Sequence, residues 1–259
     1  MALIAIAADK GAPGVTTAAT ALGAVWPRTV LLAECDPSGG DLAYRLPNLN
    51  GGVLNPAKGL LSLGAVARKG LNPGQIAEHT QKLVGGLDVL AGLSHGEQAA
   101  GLTWLWGPLG RAFAAMPGAD VIADCGRLGT CPQMNDLLAE AAMVVLLVRP
   151  SLDQVAHLRE RLSLIKHGRI GVVVVADPRH YRASIDEVRR IVGTSAEEVA
   201  VLGGLAYDPK GAELLSGGWG GRLDRSLLIR TARELAGRLV TRIAEPAPRP
   251  VRRGVGGRT

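Results

Sequence analysis

Cysteine, long hydrophobic runs and regular repeats are all scarce or missing in this sequence. Its three cysteines, Cys35, Cys125 and Cys131, are odd in number and lack paired metal-ligand spacing. That excludes a disulfide scaffold, argues against zinc, and suits reduced thiols. The first apolar run, Leu3 to Ala8, is too short to span a bilayer and has no basic segment ahead of it. It reads as neither a membrane span nor a signal peptide, and the chain is expected to be cytoplasmic. No repeat period is visible, which excludes a solenoid.

Apolar residues are plentiful: 47% of the 259 residues are hydrophobic, enough for a large core and far from disordered or collagen-like composition. The length fits one large α/β domain, expected over residues 1–243, followed by a basic Pro/Gly-rich tail over 244–259. Lys and Arg total 29 against 23 Asp and Glu, and the excess thickens at Arg249, Arg252, Arg253 and Arg258. Such a tail is ordinarily solvated. The alternative is a weak contact with nucleic acid or an anionic membrane through those arginines.

Short apolar runs at Leu3 to Ala8, Thr29 to Ala33, Leu87 to Ala91, Asp120 to Ala123, Met143 to Val148, Ile170 to Val175 and Val199 to Leu205 read as buried strands. Helical patterns lie between them at Thr16 to Val25, Gly74 to Leu83, Gln98 to Ala115, Pro132 to Ala141, Leu152 to Lys166 and Arg182 to Val192. From Pro47 to Gly74, glycine and proline predict loops and short helices instead of a core strand. The alternation predicts a doubly wound, mostly parallel sheet with helices on both faces. In such sheets ligands bind beyond the carboxyl ends of the strands, so the turns there carry the functional reading.

Asp9-Lys10-Gly11-Ala12-Pro13-Gly14-Val15-Thr16-Thr17 comes directly after the first strand and opens a helix. Glycines there leave the backbone open to phosphate, the helix amides face the anion, and Thr16 can place a hydroxyl on Mg2+. The segment resembles the deviant Walker A loop of the ParA/MinD family, Lys-Gly-Gly-x-Gly-Lys-Thr-Thr. The resemblance implies a P-loop ATPase fold with ATP and Mg2+ held by residues 11–17, Lys10 reaching across a homodimer to the partner's phosphates, and a role in positioning or partitioning. Two departures stand out. Ala12 replaces a glycine, and Val15 stands where the family has its P-loop lysine, which removes the cation that meets the β- and γ-phosphates. Arg127 and Arg149, each just past a strand end, are candidate substitutes. The alternative is that the loop keeps its shape without its ligand.

Glu34-Cys35-Asp36-Pro37-Ser38-Gly39-Gly40-Asp41 is similar to the family's switch I segment, with Asp36 matching the carboxylate that orients attacking water and Glu34 replacing an Asp. Taken alone it is an ordinary turn sequence. Asp120 to Gly126 resembles the Walker B and switch II stretch, so Asp124 would support Mg2+ through water; a strand-end Asp can equally cap the next helix or loop. Cys35 and Cys125 neighbour these acids, which would raise a thiol pKa and disfavour nucleophilic roles.

Further along, Asp177 before Pro178 falls where the family reads adenine, and Tyr207 in Leu205-Ala206-Tyr207-Asp208-Pro209 falls in its last base-side loop. Turn initiation explains Asp177 equally well. The final helix, expected over Asp224 to Ile243, puts Leu228, Ala232, Leu235, Leu239 and Ile243 near one face and arginines largely off it. A membrane-lying helix has this pattern, but the apolar face lacks Phe and Trp, and core packing is the commoner arrangement. Trp104 and Trp106 are two residues apart and cannot share one inner stripe, so one is a candidate partner contact. The resulting expectation is a ParA/MinD-like positioning or assembly factor with weak or absent hydrolysis. Its degenerate loop is similar to the TadZ/CpaE branch that localises pilus assembly, so a protein cargo or assembly machine is implied. The alternatives are an active ATPase of this type and a DNA-bound segregation protein.

Overall fold

The computed structural model describes residues 1–129, 131–165, 169–192, 199–218 and 221–245. In chain order the strands are β1 (Leu3–Ala8), β2 (Val30–Glu34), β3 (Gln81–Lys82), β4 (Asp88–Leu90), β5 (Asp120–Arg127), β6 (Met143–Val148), β7 (Ile170–Ala176) and β8 (Val199–Ala206). The helices are α1 (Val15–Val25), α2 (Leu42–Arg45), α3 (Leu60–Ala67), α4 (Pro73–Glu78), α5 (Gly96–Ala100), α6 (Trp106–Ala114), α7 (Met134–Ala139), α8 (Leu152–Leu164), α9 (Tyr181–Val192), α10 (Pro209–Leu215) and α11 (Leu227–Ala244).

The strands join in the order β3-β4-β2-β5-β1-β6-β7-β8, parallel except for the β3–β4 pair. Ile, Val, Leu and Ala fill the central strands because both sheet faces are covered. Alternate residues divide between two cores. Leu3, Ala5, Val121, Ala123, Val144 and Leu146 pack beneath α3 and α6 to α9. Ile4, Ile6, Ile122, Val145 and Leu147 pack beneath α1, α10 and α11. From β1 the chain crosses to β2 on one side, and from β5 it crosses to β6 on the other. The reversal of strand order therefore lies beside β1, where its carboxyl end opens.

At the opposite end of the sheet, Asp120 is fully buried and accepts from the Ala2 amide, Trp26 Nε1 (both 2.9 Å) and Arg28 Nη2 (2.8 Å). These bonds tie β5 to the ends of β1 and α1. At the sheet's edge, Arg238 of α11 donates to the Leu202 carbonyl at 2.9 Å, and the Tyr181 hydroxyl donates to the Gly204 carbonyl, so two outward-facing carbonyls of β8 are already occupied.

The structure corrects several expected boundaries. The helix expected over Gly74 to Leu83 ends at Glu78: Asn72 and Gln75 cap its start reciprocally, and Gln81, bonded to the Asn55 and Lys58 carbonyls, begins β3. The helix expected over Gln98 to Ala115 is broken into α5, a 3-10 turn at Thr103–Leu105, and α6, with Gly101 closing α5. That break separates the two tryptophans: Trp106 is 1% exposed and Trp104 38%. α11 begins at Leu227, not Asp224, because the Ser226 side chain caps it. Its Leu228, Ala232, Leu235 and Leu239 are buried in the α1 core, so this apolar face is unavailable for lying on a membrane. Arg249, Arg252, Arg253 and Arg258 lie outside the described residues. Among the described residues no helix is long and apolar enough to cross a membrane.

Candidate functional site

The turn after β1 is shaped by Gly11 (φ 75°) and Gly14 (φ 93°), a backbone region that side chains rarely adopt. Gly14 is the N-cap of α1 and has no side chain to cap it, leaving the helix's first amides to meet an anion. Thr16 and Thr17 occupy the opening turn. Val15, 8% exposed, packs on the core beneath α1 and also borders the cavity at this turn. The position that a P-loop lysine would use is thus filled by methyl groups.

Asp124 and Asp36 face this turn from β5 and from the segment after β2. Asp124 is fully buried; its Oδ1 accepts the Gly126 amide at 3.1 Å, while Oδ2 has no well-formed hydrogen bond. Burial lifts its pKa to about 7 against the opposing pull of the Thr16 hydroxyl and the Gly126 amide, and the charges of Glu34 and Asp36 push it the same way as burial. Asp36 accepts the Ser38 amide at 2.8 Å and rests on Gly126, where a Cβ would collide with its carboxylate. Together with residues 11–17, Asp36, Ser38, Asp41, Arg45, Gly126 and Arg127 line a cavity of about 390 Å³.

Glu34 has a structural task. It is buried, its Oε1 accepts the amides of Asp41 (2.6 Å) and Leu42 (2.9 Å), and its Oε2 accepts that of Gly92 (2.9 Å). Burial raises its pKa and these amide bonds lower it, with burial the larger effect. One carboxylate therefore fastens the start of α2 to the end of β4. Cys35 and Cys125 are wholly buried, and desolvation holds both thiols well above their usual range, so neither is a ready nucleophile.

Lys10 is exposed, and its Nζ donates to Nε2 of His157 on α8 at 2.8 Å. Asp9 pairs with Arg161 one turn further along that helix, and Gln154 Oε1 accepts the Arg149 amide at 3.1 Å while its side chain lies against Gly11. Gln154, His157 and Arg161 form one helical stripe that grips the loop. No motif marks these three in the sequence, although their spacing is that of a helix face. Arg45 is equally unmarked.

A second cavity, about 180 Å³, adjoins the first beyond Gly14 and Thr17; Val175, Leu205, Tyr207, Pro209 and Leu228 supply most of its apolar wall. The Arg149 guanidinium stacks on the Tyr207 ring at 4.6 Å. Of the candidate substitutes for the missing cation, Arg127 lines the first cavity and Arg149 the second. Asp177 lines neither: Arg179 engages both its carboxylate oxygens at 3.0–3.2 Å, and those bonds hold its pKa down at about 2. The structure thus brings Gly11, Ala12, Pro13, Gly14, Val15, Thr16, Thr17 and Asp36 together with Asp124 beside Thr16, places Tyr207 in the adjoining wall, and leaves Asp177 and the Lys10 ammonium outside.

No protein-family profile and no curated protein matches the chain. Solved structures do. A ParA family ATPase from Chlorobium tepidum TLS superimposes with a TM-score of 0.71 at 18% identity, covering 91% of this chain and 98% of that one. The septum site-determining protein MinD complexed with Mg-ADP from Pyrococcus horikoshii OT3 gives 0.66 at 15% identity, covering 95% and 99%. The MinC:MinD cell division protein complex of Aquifex aeolicus gives 0.64 at 15%, covering 96% and 98%. At such identities the likeness is one of fold: the chain has the ParA/MinD P-loop NTPase architecture.

Proposed function

We propose that this chain is a ParA/MinD-like positioning or assembly factor that binds ATP with Mg2+ at the turn after β1, works as a homodimer, and hydrolyses ATP slowly or not at all. The observation that carries the reading is the convergence of an uncapped helix N-terminus, the Thr16 hydroxyl and a buried carboxylate oxygen without a well-formed hydrogen bond, with the apolar Val15 beside them. An acceptor left in that state fits a cation. Among the described residues no three His, Cys, Asp or Glu side chains converge on a metal site, so Mg2+ would be shared by Thr16, Asp124 and phosphate.

Bound Mg-ATP supplies the phosphoryl bond and a divalent charge. The amides of α1 would cradle the phosphates, Asp124 and Thr16 would hold the metal, and Asp36 would orient water at the terminal phosphate. Tyr207 and the apolar wall beside it would take the base. Phosphoryl transfer depends on neutralising charge, so an uncharged Val15 where a lysine belongs slows it. One MinD neighbour is complexed with Mg-ADP and another with MinC, which supports nucleotide binding and contact with a protein partner. For this chain the cargo we favour is a pilus or secretion machine.

Calorimetric titration with ATP and Mg2+ tests the site, and phosphate release beside Asp36→Ala and Asp124→Ala tests turnover. Weak binding with slow release that both substitutions abolish is expected. Micromolar binding with brisk turnover would instead favour an active partitioning ATPase, and release equal in all three proteins would mean a contaminating enzyme.

A further inference from the structure

We infer that Arg45 has taken over the phosphate-neutralising role that Val15 cannot perform, reaching the phosphate chain from α2 instead of from the loop. This rests on the nucleotide-site reading above and specifies which side chain completes it.

Arg45 ends α2, and α2 is unusually well fixed for a four-residue helix. The Asp41 and Leu42 amides at its start are held by the buried Glu34 carboxylate, and Leu42 is sunk in the core beneath α1. The guanidinium is steered from outside: Nη2 donates to Ser216 Oγ at 2.8 Å, just past α10. From there Arg45 lines the cavity that also contains residues 11–17, and a second small recess formed by Thr16, Thr17 and Thr20. A lysine at position 15 would have entered the same space from the loop.

The guanidinium is also not committed to a strong partner. A guanidinium has five donors, Ser216 takes one as a neutral acceptor, and the nearest carboxylate, Asp41 Oδ2, is 3.9 Å from Nη1, at the outer limit of an ion pair. Asp41 N-caps α2 without a side-chain hydrogen bond to it, so its carboxylate stays available to draw on Arg45. The remaining donors suit the forked geometry of phosphate oxygens. Arg127 lines the same cavity from β5, and so do Asp36 and Asp41, whose negative charges disfavour a phosphate chain there. Binding should therefore need Mg2+ alongside Arg45.

The test uses the full chain and three probes by calorimetry with Mg2+: ATP, inorganic tripolyphosphate and adenosine. Arg45→Ala should weaken ATP and tripolyphosphate by about tenfold to a hundredfold, the range of a charge-assisted phosphate contact, and leave adenosine unchanged. Asp41→Asn should tighten both phosphate probes severalfold by releasing the guanidinium. Val15→Lys in the Arg45→Ala background should restore what was lost. Arg45→Gln, which keeps a donor for Ser216, serves if the alanine variant does not fold, with the same expectation. Unchanged tripolyphosphate affinity in a folded Arg45 variant would overturn the assignment while leaving the nucleotide site standing. Equal loss of adenosine and phosphate would overturn it too, by showing a general collapse of the site. No binding of ATP or tripolyphosphate to the parent or to Val15→Lys would overturn both readings together.

Discussion

Replacing Asp124 with asparagine should stabilise the ligand-free protein while weakening its hold on Mg2+. In the fold this carboxyl is fully buried, and its pKa rises from 3.8 to about 7, chiefly through burial. An unfolded chain releases that proton near pH 4, whereas the folded chain keeps it until about pH 7. Between these values the folded state binds more protons than the unfolded one, so stability falls as pH rises. Above about pH 7 both states are ionised and the folded state carries the whole penalty, at most about 4 kcal/mol at about 1.4 kcal/mol per pH unit. Local relaxation should reduce this to about 1–3 kcal/mol. Asparagine keeps an oxygen for the Gly126 amide and puts an uncharged donor where Oδ2 has no well-formed hydrogen bond. The expected gain in Tm at pH 8 is about 3–9 °C for a chain of this size. Thermal melts without nucleotide, from pH 5 to 8, should show the variant's advantage opening towards pH 7 and then levelling. Adding ATP and Mg2+ should narrow it, because the ionised aspartate is then the form in use. Parallel curves for parent and variant across that window, or a lower variant Tm at pH 8, would refute the reasoning.

Val15→Lys in the otherwise unaltered chain should tighten ATP binding by about tenfold to a hundredfold on calorimetry. Gly126→Ala should cost about 1–3 kcal/mol or more in urea melts and displace Asp36, because φ is 57° there and a Cβ would strike that carboxylate. Asp120→Ala should cost about 1–3 kcal/mol and change Trp26 fluorescence, since it strands the buried indole N–H, whereas the half-exposed Arg28 remains solvated. Lys10→Ala should leave the monomer's melt nearly unchanged but abolish an ATP-dependent dimer in light scattering; a dimer that persists would leave Lys10 as a partner of His157 alone.

The architecture is legible in the sequence because buried parallel strands are written as largely apolar runs, and seven of the eight strands fall on one. β3 is hidden because Gln81 and Lys82 are polar and sit at the end of a helix-like stretch, and only their bonds to a distant loop make them a strand. The loop after β1 is legible because its glycines have backbone consequences. Arg45 is not, since its position depends on Glu34, a buried acid that reads as a small departure from a motif until its three amide partners are seen. Asp177 shows the opposite failure: its place in the order of motifs points to the base, but an arginine two residues away captures its carboxylate.

The covered border of the sheet limits how copies of this protein can join. Because Arg238 and Tyr181 occupy carbonyls on β8, and the other border is the two-residue β3, neither side offers a long ladder for a second sheet to continue. Assembly into a continuous inter-subunit sheet, with its attendant route to fibrils, is therefore closed off at both flanks. Two copies are left to meet through helices and loops, and the rim carrying the turn after β1 is the one whose geometry gives such a meeting chemical content. A contact of that kind is made and broken without unzipping backbone ladders.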